Sequence, residues 1–211
     1  MELGLWKYWI FDMDGTLTIP KHDFVEIRKI LGIPQDSDIL SFIDAALPSK
    51  KTYLNQKLQE IEREIALQAE VSPDALELLQ YLQESAKPCG VLTRNTKDFA
   101  MLTLQRAGLL QFFPIDCILG RDSSAAKPSP EGIEKLLSRW GGKPAETVMI
   151  GDDINDILAG NAAGCSSVYI QREHLLSNPS AADILCVDLR SLITTLPIGV
   201  KGNIDAFVIG D

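Results

Sequence analysis

Apolar residues follow two rhythms along this chain. Short continuous apolar runs (Tyr8 to Phe11, Cys89 to Thr93, Ile115 to Leu119, Thr147 to Ile150, Ser167 to Ile170) read as strands buried on both faces. Between them, apolar residues recur every three or four positions, which is the stripe of a helix lying on a core. Ser72-Pro73 opens one such helix, with Leu76, Leu79 and Leu82 on its stripe. Phe99, Leu102 and Ala107 mark a second, closed by Gly108. A third starts at Ser129-Pro130 and ends near Gly141-Gly142, and a fourth runs from Ile154 to Ala163, closed by Gly164. Strand and helix in alternation predict a doubly wound α/β parallel sheet with helices on both faces. A last strand and helix fall between Ile184 and Leu196. The tail from 197 to 211 carries strand-like residues (Ala206 to Ile209) that find no place in the pattern.

One block breaks the alternation. No strand pattern occurs between Thr18 and Val71. Phe24, Ile27 and Leu31 precede Gly32; Ile39, Leu40, Ile43 and Leu47 run up to Pro48; Leu54, Leu58, Ile61 and Ile65 stripe a longer polar helix. The expected organisation is a discontinuous core, 1–18 and 72–211, with an all-helical insert at 19–71.

The first strand ends abruptly in Asp12-Met13-Asp14-Gly15. Carboxylates there stand at the carboxyl edge of a parallel sheet, where such folds keep their ligand crevices. A solvated turn would also use Asp and Gly. Two acids that lose hydration together, however, call for a cation.

Composition narrows the partners. A net charge of -9 gives no basic footprint for nucleic acid or an anionic membrane surface. Cys89, Cys117, Cys165 and Cys186 are scattered, with no Cys-x-x-Cys and no adjacent histidine, which argues for a reducing compartment and against zinc. No segment reaches the ~20 apolar residues of a membrane span. A signal peptide would have to be cut into the Asp12 motif. A cytoplasmic protein is expected.

The polar residues that end successive strands complete the picture: Asp12 and Asp14, then Thr93, then Asp152, Asp153 and Asp156, with Lys127 in the loop after the third strand. The motifs are Asp12-Met13-Asp14-Gly15-Thr16-Leu17-Thr18, Val91-Leu92-Thr93-Arg94-Asn95, Lys127-Pro128-Ser129-Pro130 and Met149-Ile150-Gly151-Asp152-Asp153-Ile154-Asn155-Asp156. In this order the chain resembles the haloacid dehalogenase-like hydrolase superfamily, in its phosphoglycolate phosphatase-like branch. The insert falls where that family places a helical cap.

The resemblance implies a Mg²⁺-dependent phosphatase for a small phosphorylated metabolite. Asp12 would be the nucleophile that becomes an aspartyl-phosphate, and Asp14 the general acid and base. Dehalogenases of the family lack the second acid. Asp12, Asp152 and the Asp14 backbone carbonyl would hold Mg²⁺, with Asp153 and Asp156 orienting that shell. Thr93 and Lys127 would bind the phosphoryl oxygens. Arg94 and Asn95 either reach the leaving group or pack at a helix start. Lys50 and Lys51, in a turn of the insert, are candidates for facing the site. Arg121 and Asp122 read as a loop ion pair, and His22 and His174 have no evident role. A phosphomutase or phosphotransferase would use the same residues and differ in where the phosphoryl group goes.

Overall fold

The structure is a computed structural model and describes residues 6–171 and 181–195. His174 and the tail beyond residue 195 lie outside the described residues.

Six parallel strands form one sheet: β1 (Tyr8–Phe11), β2 (Cys89–Leu92), β3 (Ile118–Leu119), β4 (Thr147–Gly151), β5 (Ser166–Ile170) and β6 (Ile184–Cys186). Their order is β3-β2-β1-β4-β5-β6, so β1 lies between β2 and β4 at the centre. The period-two alternation of a strand sorts its side chains onto two cores. Trp9, Phe11, Val91, Val148 and Ile150 face one way and pack on α4 (Pro73–Glu84), α5 (Lys97–Arg106) and α8 (Arg190–Thr195). Ile10, Leu92 and Met149 face the other way, onto α6 (Glu131–Trp140) and α7 (Ile154–Ala162). Residues buried on either side explain why each strand reads as a continuous apolar run.

The third strand is shorter than its apolar run predicts. Ile115–Cys117 winds as a 3₁₀ turn after Pro114, closed by Cys117 N–H donating to the Pro114 carbonyl at 2.8 Å. Only Ile118 and Leu119 pair with β2. As an edge strand, β3 has one neighbour to enforce extension, and Ile115 is left exposed.

Residues between β1 and α4 form α1 (Phe24–Leu31), α2 (Ile39–Asp44) and α3 (Pro48–Leu67), packed around Ile27, Leu31, Ile33, Ile39, Ile43, Leu54 and Leu58. Gly32 ends α1 in the left-handed conformation, and Asp38 caps α2 by accepting the Ser41 N–H. The two passes of chain between this cluster and the sheet run side by side. Thr18 bridges Val71, and Ser72 N–H donates to the Leu17 carbonyl at 2.9 Å. Helix α3 also packs on α5.

Candidate active site

The carboxyl ends of β1, β2 and β4 carry Asp12, Thr93 and Asp152 side by side, because these three strands are neighbours in the sheet. Asp12 is buried, and its N–H donates to the Ile150 carbonyl of β4 at 2.8 Å. The turn after it depends on Gly15, whose φ is +88°. A Cβ there would stand 2.1 Å from Asp152 Oδ2, so only glycine lets the β1 turn and the β4 acid approach this closely. Gly151 plays the same part for Asp156, whose Oδ2 would lie 2.0 Å from an added Cβ.

Asp12, Asp152 and Asp156 bring one carboxylate oxygen each within 4.8 Å of one another. The buried Lys127 ammonium sits 2.5 Å from Asp12 Oδ1 and 2.5 Å from Asp156 Oδ1. Burial pulls the Lys127 pKa down, but the two carboxylates raise it further, so the lysine stays charged. One ammonium does not balance three acids. Burial, with the neighbouring acids adding to it, raises Asp12, pushes Asp152 to about 8 and Asp156 to about 7. The cluster is short of positive charge, and its donors are all hard oxygens. It therefore suits a small divalent cation such as Mg²⁺. Asp156 is already engaged, by Lys127 at Oδ1 and by the Asp153 N–H at Oδ2, which leaves Asp12 and Asp152 to face a metal.

Asp153 is exposed and caps α7, its Oδ1 accepting from Asn155 N–H at 2.8 Å and from Asn155 Nδ2 at 2.6 Å. With Asp156 it forms a capping box, so it fixes the turn that carries Asp156 and stands outside the acid cluster.

Asp14 is apart from that cluster. Asn95 Nδ2 donates to its Oδ2 at 2.8 Å, and His22 Nδ1 lies 3.8 Å from its Oδ1. Burial raises the Asp14 pKa to about 7 against the pull of Lys127, with the charge of Glu62 adding to the rise. Thr93 is buried, and its Oγ1 accepts from Asn95 N–H at 3.1 Å, which ties the end of β2 to the Asp14 partner. Burial lowers the His22 pKa, and its ring stacks on Phe24.

Several residues sit differently from expectation. Arg121 and Asp122 do not pair with each other. Arg121 makes a two-pronged contact with Glu62 of α3, at 2.7 and 2.8 Å, and donates to the Arg94 carbonyl. Asp122 accepts from the Lys97 N–H at the start of α5. Arg94 turns to Asp38 of the insert at 2.6 Å. Lys50 lies over the Phe42 ring and Lys51 pairs with Asp44, so both are engaged inside the insert. Glu62 is the residue that sequence reasoning passed over. Its signal was present: Leu54, Leu58, Glu62 and Ala66 form one buried i, i+4 row, in which a lone charge demands a partner.

These raised carboxyl pKa values carry a stability consequence. Across the window from about 4 to about 8 the folded chain binds more protons at Asp14, Asp152 and Asp156 than the unfolded chain does. Their contribution is present at low pH and is lost as pH rises through that window. Melting curves in chelator should show a falling Tm from about pH 5 to about pH 8, and Mg²⁺ should recover most of the loss at the alkaline end. A Tm that is flat in chelator would mean the acids are already ionised without metal.

Comparison with known proteins identifies the family. The haloacid dehalogenase-like hydrolase pattern matches residues 6–164. The chain belongs to that family. The chain is 30% identical over 203 residues to the validoxylamine A 7′-phosphate phosphatase of Streptomyces hygroscopicus subsp. limoneus, covering 88% of this chain and 95% of that one. It is 27% identical to the phosphoglycolate phosphatase of Escherichia coli O157:H7, over 74% of this chain and 60% of that enzyme. Among solved structures, a phosphatase of the family from Thermococcus onnurineus superposes with a TM-score of 0.68 at 25% identity, covering 90% and 98% of the two chains. These phosphatase-named relatives accord with an enzyme acting on phosphate monoesters. Among the described residues no helix is long and apolar enough to cross a membrane.

Proposed function

We propose that this chain is a Mg²⁺-dependent phosphatase that hydrolyses a small phosphorylated metabolite in two steps through Asp12. The observation that carries this reading is the division of labour among the strand-end acids. Asp12 and Asp156 share the Lys127 ammonium, whereas Asp14 is held apart by Asn95 with a pKa of about 7. In the first step an Asp12 carboxylate oxygen bonds to phosphorus, the ester P–O bond breaks, and Asp14 gives its proton to the departing oxygen. In the second step water bonds to phosphorus, Asp14 takes the water proton, and the P–O bond to Asp12 breaks to release phosphate. Lys127 and the Thr93 hydroxyl hold the phosphoryl oxygens. Asp12, Asp152 and the Asp14 backbone carbonyl would hold Mg²⁺, which supplies charge neutralisation at the phosphoryl group. Asp153 and Asp156 support that arrangement from α7, and Asn95 keeps Asp14 in place.

The insert at 19–71 is read as a separate cap over the core, selecting the leaving group. Its three helices have their own apolar cluster, and Arg94 and Arg121 of the core each pair with an insert carboxylate. A phosphomutase or phosphotransferase would pass the phosphoryl group from Asp12 to an organic hydroxyl, so release of free phosphate decides between them. A panel of phosphorylated metabolites assayed for phosphate should show Mg²⁺-dependent release. Chelator should abolish the activity and Mg²⁺ restore it, with Ca²⁺ a poor substitute because it relaxes octahedral geometry. Full activity in excess chelator would overturn the metal assignment.

A further inference from the structure

We propose that the wall beyond the phosphoryl site is built for an electrically neutral, hydroxyl-bearing leaving group, and that Glu62 is its specificity-determining residue. The inference rests on the phosphatase reading above and adds the class of substrate.

A leaving group bound next to Asp14 extends toward the residues that the insert and the strand-end loops bring there. The arginines of those loops are the natural receptors for a second anionic group, such as a carboxylate or another phosphate. Both are already neutralised. Arg121 gives two N–H groups to Glu62, and the pair is buried, with side chains 13% and 6% exposed. A third contact, to the Arg94 carbonyl, locks that guanidinium against the residue that follows Thr93. Arg94 is matched by Asp38 at 2.6 Å. Within the insert, Lys50 lies over the Phe42 ring and Lys51 pairs with Asp44. Through Arg121 and the Arg94 carbonyl, Glu62 is joined to the segment whose next residue, Asn95, holds Asp14. An anion placed beside this pair would meet a guanidinium already matched by a carboxylate, so it would lose hydration without gaining a free positive charge. A hydroxyl group meets the opposite situation. Glu62 can accept its hydrogen bond, and Arg94 Nε is a buried donor with no partner among the described residues. Lys97, at the start of α5, is the base on these loops that no carboxylate holds among the described residues.

The test compares kcat/KM for two esters of nearly equal size, 2-hydroxyethyl phosphate and phosphoglycolate, which differ in CH₂OH against COO⁻. Nitrophenyl phosphate serves as the reference for the chemistry itself. The wild-type protein should favour the neutral ester by roughly tenfold or more. Glu62→Gln removes the charge, frees Arg121, and should narrow or invert that ratio. Asp38→Asn retains the helix cap of α2, frees the half-buried Arg94, and should shift the ratio the same way by less. If Glu62→Gln fails to fold in a melting curve, Asp38→Asn alone decides. A wild-type preference for phosphoglycolate, above all one that Lys97→Ala removes, overturns the inference while leaving the phosphatase reading intact. So does a ratio that neither variant moves. If no ester, the aryl one included, releases phosphate, the phosphatase reading itself is wrong and this inference falls with it.

Discussion

Replacing Asp12 by Asn should reduce phosphate release by about 10⁴–10⁶-fold, the scale of losing a covalent nucleophile, while the chain still folds. The amide has the shape of the carboxylate but neither its charge nor its capacity to form the acyl-phosphate bond. Folding should survive because Asp12 is one of three crowded acids, and removing its charge relieves repulsion on Asp152 and Asp156. Lys127 keeps Asp156 as its partner, so no buried ammonium is stranded. Two measurements check this: turnover of nitrophenyl phosphate with Mg²⁺, and the Tm in chelator, which should match or exceed that of the wild type. Retention of most of the activity by Asp12→Asn would remove the covalent route from consideration.

Asp14→Asn should slow alkyl phosphates by roughly 10²–10⁴-fold, the cost of a lost general acid and base. Its side chain stands outside the acid cluster, against Asn95, so Mg²⁺ affinity should stay close to wild type. Nitrophenyl phosphate separates the two proton transfers. Its leaving group needs no proton, so the first step should be nearly spared, while hydrolysis of the aspartyl-phosphate still lacks its base. Phosphoenzyme should therefore build up in a rapid-quench experiment. The pH profile gives a further check. With Asp14 at about 7, wild-type kcat/KM on alkyl esters should fall as pH rises past that value, because the acid has lost its proton. The Asn variant should lack that limb. Loss of Mg²⁺ binding in Asp14→Asn, or equal slowing of aryl and alkyl esters with no trapped intermediate, would make Asp14 a metal or structural carboxylate.

The amino-acid sequence by itself determined the element types, their order and the positions of the chemistry-bearing residues. Strands such as Tyr8–Phe11 and Thr147–Gly151 lie at the centre of the sheet, where burial on two faces leaves a continuous apolar run. Helix ends were legible because caps are local: Gly32 and Gly141 act within a few residues of themselves. The edge strand β3 was not legible, since Ile115 extends or coils according to whether a neighbouring strand is there to pair with it.

The tertiary structure alone decided which charges meet. Lys127 reaches Asp12 across 115 positions of sequence, and Arg121 reaches Glu62 across 59. Nothing in the periodicity of α3 distinguishes Glu62 from its solvated neighbours except one place in a buried row, and nothing in the loop after β3 says that Arg121 turns to the insert and Asp122 to α5. A local sequence encodes which face of a helix is apolar. Where that face lands, and so whether an acid meets water, an arginine or another acid, depends on the packing of α3 against α5 and of β1 between β2 and β4. The candidate carboxylates were therefore visible residue by residue, and the electrostatic balance that sets Asp14 apart from Asp12 came from their folded neighbours.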